Sequence, residues 1–387
     1  MTPFRLVLFG GGVFAVESGF FAVVPPLIPR LVLELHLTTA ELGILVAAYP
    51  AGVVAGAVPS IALVDRAGVR TTAFIGLALL IAATLGFGLA TNGVVIDAAR
   101  FVQGFGGAVA WAGALAWLTG TTSELRRGAV IGAAVGSALV GTVFGPLVGA
   151  LAANVGRPVV FGALAVVIAL LAILAPAVAP PSEPVRGSVR ALVALLRNRR
   201  AALGNGALFV VGVSGGTAWT LTPLLVSRLG GTAVTIAWMV GVSYLLAAVL
   251  NVFTGRLSDR VGRLLPTVVL LSVAAATLPL LPLYASLAPL IITSVINGTV
   301  LSGLWTPTAA MVADAAAPGP SAQAIGVAAM NAAWAAGGAV GPVVMAGIAE
   351  NSGFVTPFVA AGALCALTAV TAVATYRRRV EDTWTSA

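Results

Sequence analysis

Apolar runs of roughly twenty residues follow one another along the whole chain, separated by short breaks that carry arginine, glycine, proline or an acid. A run of that length crosses the ~30 Å hydrocarbon core of a bilayer as a helix. The pattern predicts twelve spans, at residues 5–33, 41–64, 71–90, 93–118, 127–154, 158–179, 202–226, 234–257, 265–284, 288–312, 322–348 and 354–376. Connections are mostly short, which leaves little room for an attached soluble domain. The fold class expected is an all-α membrane protein of twelve transmembrane helices.

Composition agrees: 59% of residues are hydrophobic and 8% charged, against about 25% charged in a soluble domain. The net charge of +8 comes from arginine alone. Sixteen of the twenty arginines fall on one side of the predicted spans, Arg30, Arg157 and Arg228 fall on the other, and Arg100 lies inside a span. The positive-inside rule then puts both termini in the cytoplasm, and the topological spread of charge excludes a nucleic-acid partner. The first span carries Glu17 and no small-residue cleavage site, so it is expected to be retained as a span. A single cysteine, Cys365, and a single histidine, His36, permit no thiolate cluster, disulfide pair or hydrolytic triad. No cofactor or metal is expected, and no enzyme.

Residues 181–201, rich in proline, serine and arginine, read as a flexible cytoplasmic linker between a first half, 1–180, and a second half, 202–387, that ends in a short cytoplasmic tail. The halves match. Asp65-Arg66-Ala67-Gly68 aligns with Asp259-Arg260-Val261-Gly262, Arg100 to Gly104 with Ser294 to Gly298, Trp111 with Trp305, and Gly145-Pro146 with Gly341-Pro342. Two parallel six-helix repeats imply a pseudo-two-fold axis along the membrane normal and a binding site between the halves near mid-membrane. Gly141, Gly145 and Gly149 put small residues at i, i+4 and i+8 on one helix face, with Pro146 removing a backbone hydrogen bond.

Taken together, these motifs resemble those of the major facilitator superfamily, over essentially the whole chain. The family's loop signature GxLaDRxGRK is matched by residues 61–70, with Ile61 and Val69 in place of the usual glycine and arginine, and again by residues 255–263, from Gly255 to Arg263. RxxQG is matched by Arg100, Gln103 and Gly104, and the antiporter signature GxxxGPxxG is complete from Gly141 to Gly149. The resemblance implies that Asp65, Arg66, Gly68 and Arg70, with Gly255, Asp259, Arg260, Gly262 and Arg263, form a cytoplasmic gate that latches across the halves. We expect the glycine stripe to seal the outer side by packing the fifth span against the opposite half. Such carriers usually act as monomers in a membrane such as the bacterial plasma membrane.

Glu17 stands about 12 residues past Arg5, roughly 18 Å into the hydrocarbon. A carboxylate there is costly and is by default a functional group. Phe14 and Phe21 share its face. Arg100 is the other deeply placed charge, with Asp97 one turn earlier to neutralise it, and these three form the candidate proton-coupling set. Trp111 and Trp305, with Asn297, Asn331 and Trp334, are expected to wall a substrate cavity beside Phe14 and Phe21. The function expected is proton-coupled export of a small amphipathic compound, with protons, substrate and membrane lipid as partners. Uptake of a sugar or nucleoside is the alternative, and a membrane sensor or scaffold the more distant one.

Overall fold

A computed structural model of the chain describes residues 2–122, 124–174, 195, 197–315 and 320–385. These residues are helical almost throughout, with no strand among them. The first span is α1 (Thr2–Ala22), a 3-10 turn (Pro25–Leu27) and α2 (Ile28–Leu35). The expected unbroken run thus bends at Pro25-Pro26, where two successive residues have no backbone N–H to donate. His36, between the first two predicted spans, is the left-handed cap that ends α2, at φ 52°.

The next helix, α3 (Thr39–Leu89), contains both the second and third spans, joined through a single non-helical residue, Gly68, at φ 80° and ψ 160°. It starts on a reciprocal cap in which Thr38 Oγ1 accepts from the Glu41 amide and Glu41 Oε2 accepts from the Thr38 amide. Asn92 caps α4 (Gly93–Thr121). Then come α5 (Glu124–Val155) and α6 (Arg157–Leu174), followed by α7 (Arg199–Arg228), α8 (Ala233–Val261) and α9 (Leu264–Thr277). A 3-10 segment (Leu278–Leu283) extends α9. The tenth span is broken into α10 (Leu287–Gly303) and α11 (Trp305–Ala315), and α12 (Pro320–Ser352) and α13 (Val355–Thr385) complete the chain.

Ten helical stretches among the described residues are long and apolar enough to cross a membrane. One of them, Thr39–Leu89, is two expected spans, and the sixth span is the shorter apolar helix Arg157–Ile173. Each of the twelve expected spans therefore has helix among the described residues, the sixth as far as Leu174. The predicted linker, 181–201, lies outside the described residues except for Leu195 and residues 197–201.

The chain forms two compact units, residues 1–187 with 230–242, and residues 188–229 with 243–387. Residues 230–242, inside the second half by the sequence boundaries, group with the first unit. Within the first unit α4 lies along α3 and α1 lies along α5; within the second, α7 lies along α12 and α9 along α13.

Close approach of these helices rests on glycine. A Cβ on Gly56 would stand 3.0 Å from the Phe105 carbonyl oxygen, and one on Gly113 would stand 2.5 Å from the Ala73 nitrogen. Backbones that near leave no room for a side chain.

On the outer side of the first unit, as the sequence orients it, Arg157 is 8% exposed and donates to the Phe87 and Ala90 carbonyls, both at 3.0 Å, and to Glu34 at 3.3 Å. Arg30 pairs with Glu34 and donates to the Ala153 carbonyl. One carboxylate and two guanidiniums thereby satisfy the carbonyl ends of α3 and α5, where the helix dipole favours a cation.

Candidate functional site

Glu17, on α1, is half-buried, and its carboxylate is held from a neighbouring helix. The Tyr49 hydroxyl of α3 lies 2.9 Å from Glu17 Oε1 and 3.0 Å from the Glu17 carbonyl oxygen. Ser18 stands 3.4 Å from the other carboxylate oxygen. The Tyr49 ring in turn carries Arg100, whose guanidinium carbon sits 4.6 Å from the ring centroid. Arg100 is 2% exposed and donates to the Phe20 carbonyl at 2.9 Å and to Gln103 Oε1 at 3.0 Å.

The ion pairs among the described residues join Arg30 and Arg157 to Glu34, and Arg263 to Asp259 and Asp314. Neither Glu17 nor Arg100 is in that set. A buried guanidinium without a carboxylate would cost several kcal/mol, and here two hydrogen bonds and the π-face offset it. A cation–π contact out of water contributes up to about 2 kcal/mol.

Glycine makes the space. A Cβ on Gly107 of α4 would meet Glu17 Cγ at 3.0 Å and the Tyr49 hydroxyl at 3.4 Å, so any larger residue would press on the group. Phe14 is fully buried and stacks on Trp111 with centroids 3.9 Å apart, and Phe21 leans on Tyr49 at 6.0 Å. Phe14 and Phe21 thus flank Glu17 along α1, the first against Trp111 and the second against Tyr49. Asp97 does not join them. It is half-buried one turn before Arg100, whose side chain instead reaches across to the Phe20 carbonyl of α1.

In the second unit Trp305 and Trp334 pack against one apolar cluster that includes Leu208, Val312 and Met330. Asn331 is half-buried on the same helix as Trp334. Asn297 is 1% exposed and donates to Thr277 Oγ1 at 3.0 Å, which ties α10 to the end of α9. That bond is structural in character. Sequence reasoning also missed Asn251 of α8, which spans the break in the tenth span by donating to the Ser302 carbonyl at 3.3 Å and accepting from Thr306 Oγ1 at 2.7 Å. Pro307 gives the break away, because it cannot donate back into the preceding turn.

At the gate, Gly68 and the equivalent Gly262 both take left-handed conformations, at φ 80° and 86°. Arg263 pairs with Asp259 one turn before it and, at 3.2 Å, with Asp314 at the end of α11. The Asp259 hydrogen bond, chiefly, raises the Arg263 pKa. Asp259 is therefore latched within its own unit. Asp65 and Arg66 are exposed, and Arg70 lies 5.8 Å from the Phe74 ring.

The glycine stripe requires a correction. Gly141, Gly145 and Gly149 face the Ala15 and Gly19 carbonyls of α1 and the Val23 carbonyl just beyond it, so the glycine face of the fifth span packs on the first span of its own half, where the opposite half was expected. Gly337 and Gly341 face Phe209 and Val213 of α7 in the same manner.

The sequence profile of the Major Facilitator Superfamily matches residues 9–220 and again residues 204–387. The chain belongs to the Major Facilitator Superfamily. Multidrug resistance protein MdtL of Escherichia coli (strain K12 / DH10B) is 33% identical over 104 residues, which is 27% of this chain and 27% of MdtL. MdtL of Shigella boydii serotype 18 gives the same figures, so the match spans only about a quarter of these relatives' length. A crystal structure of a bacterial homolog to the human lysosomal transporter Spinster, inward-facing and unoccupied, superposes with a TM-score of 0.82 at 16% identity, covering 99% of each chain. The same homolog in an occupied form gives 0.78 over 96% of each chain. Identity that low carries the fold alone. As a member of that superfamily, the chain is an integral membrane protein whose helices are apolar and long enough to cross a bilayer.

Proposed function

We propose that the protein is a proton-coupled antiporter that exports a small amphipathic compound by alternating access. The observation that carries this reading is Glu17, a carboxylate in the membrane that is hydrogen-bonded by Tyr49 yet bound in no ion pair, with the Arg100 guanidinium over the face of the same ring. An acid so placed can take up and release a proton without first breaking a buried salt bridge. The partial likeness to MdtL and the complete GxxxGPxxG run support export. The reading includes halves at 1–180 and 202–387 joined by a linker at 181–201, both termini in the cytoplasm, and a monomer in the bacterial plasma membrane. Asp65 and Asp259 belong to the cytoplasmic gate, and Trp111, Trp305 and Trp334 to the walls that meet substrate.

A thermal-shift panel of amphipathic compounds at two pH values identifies a ligand, and proteoliposomes then measure its movement against an imposed proton gradient. Glu17→Gln is expected to abolish gradient-driven accumulation while leaving counterflow exchange in place. Full accumulation by that variant sinks the coupling role.

A further inference from the structure

We infer that Tyr49 is a positioning residue that both separates and links the Glu17 carboxylate and the Arg100 guanidinium; the inference rests on the proton-coupling reading of Glu17. Three observations converge on it. The hydroxyl lies 2.9 Å from Glu17 Oε1, the guanidinium lies 4.6 Å from the ring centroid, and no ion pair joins the two charges. Arg100 also donates to the Phe20 carbonyl on the helix that bears Glu17, so both charges are anchored to α1 and face Tyr49 from α3. Gln103 and Ser18 are the polar neighbours, and Asp97 is the remaining charge on this part of α4.

A direct Glu17–Arg100 pair would bury two opposite charges in contact, and parting them in each cycle would leave both buried without a partner. Tyr49 prevents that. Its hydroxyl has one proton and two acceptors within reach, Glu17 Oε1 and the Glu17 carbonyl oxygen at 3.0 Å. When the carboxylate is ionised the hydroxyl donates to it; when the carboxyl is protonated, the carboxyl O–H can donate to the tyrosine oxygen, and the hydroxyl turns to the backbone. The ring that supports Arg100 therefore responds to the state of Glu17, and no proton is lost from the tyrosine.

The test is pH-difference infrared spectroscopy on the purified full-length protein, with no substrate added. Glu17→Gln should remove one carboxyl band, which assigns it. Tyr49→Phe, which keeps the ring and loses the hydroxyl, should move that band to higher frequency. Arg100→Lys should move it in the wild-type background but not in the Tyr49→Phe background, a non-additivity that packing alone does not give. Thermal unfolding of each variant verifies that it is folded. If Tyr49→Phe leaves the band in place, or if Arg100→Lys shifts it equally in both backgrounds, the Tyr49 assignment falls alone. If Glu17→Gln removes no band, Glu17 does not titrate, and the coupling reading falls with it.

Discussion

Replacing Gly145 with leucine tests the packing that holds Glu17 in place. A Cβ at this position would stand 2.6 Å from the Gly19 carbonyl oxygen and 3.1 Å from the Ala22 Cβ. Relaxed C···O contacts begin near 3.3 Å, so α1 must retreat by roughly 0.7 Å before the rest of the leucine is placed. Glu17 lies between Ala15 and Gly19, the two α1 residues on which Gly141 and Gly145 bear. A retreat of that size carries the 2.9 Å Tyr49–Glu17 hydrogen bond beyond useful length. Overpacking alone costs about 1–3 kcal/mol, and the weakened bond to a charged group adds about 1.5–3 kcal/mol to the loss in the ionised state. Purified Gly145→Leu should unfold at lower temperature than wild type, and its gradient-driven transport should fall at least about tenfold. Gly136→Leu on the same helix is the control, since a Cβ at Gly136 meets nothing within 4 Å. If the two variants behave alike in melting and transport, the stripe is not a backbone-close contact and the reasoning fails.

Arg157→Ala removes three hydrogen bonds and leaves the Phe87 and Ala90 carbonyls without their donor; a loss of about 3–5 kcal/mol is expected, read by thermal unfolding, with Arg157→Lys recovering part of it. Asn251→Ala unties the break between α10 and α11 and should cost about 1–3 kcal/mol, read by thermal unfolding, since it removes both the donor to the Ser302 carbonyl and the acceptor for Thr306. Arg263→Gln removes both of its ion pairs, but these are partly exposed, so stability should change by less than about 1 kcal/mol; cysteine labelling from the cytoplasmic side should increase if the pairs hold α11 closed.

The spans were legible because a bilayer asks one simple thing of sequence, an apolar run of sufficient length, and each predicted run has helix among the described residues. Gly68 and Gly262 were legible for a local reason: the chain must turn sharply between spans, and both hold positive φ. What could not be read was which neighbour each face meets. The stripe from Gly141 to Gly149 announces a backbone-close contact but not its partner, and the partner is α1. Asp97 and Arg100 share a helix face, yet the arginine is long enough to leave it for the Phe20 carbonyl. Tyr49 escaped notice because one aromatic residue in an apolar span passes for packing, although a buried phenol needs a hydrogen-bond partner. Pro307 was visible and its consequence was not drawn: the tenth span was expected as one helix.

The matched contacts of Gly141 on Ala15 and Gly337 on Phe209 set positions 194 residues apart as equivalents on the first helix of each half, the same interval that separates Asp65 from Asp259. Carried through, the interval puts Val211, Ser243, Ser294 and Leu301 where the first half has Glu17, Tyr49, Arg100 and Gly107. The second copy has kept the joinery and lost the charges. Ser294 satisfies itself on the Leu290 carbonyl, and the position equivalent to Gly107 holds the buried Leu301. Each ionised group in hydrocarbon is a standing expense, and a duplicated gene is free to shed the one it does not use. The protein is therefore twofold as a scaffold, while the group of Glu17, Tyr49 and Arg100 stands in the first half alone.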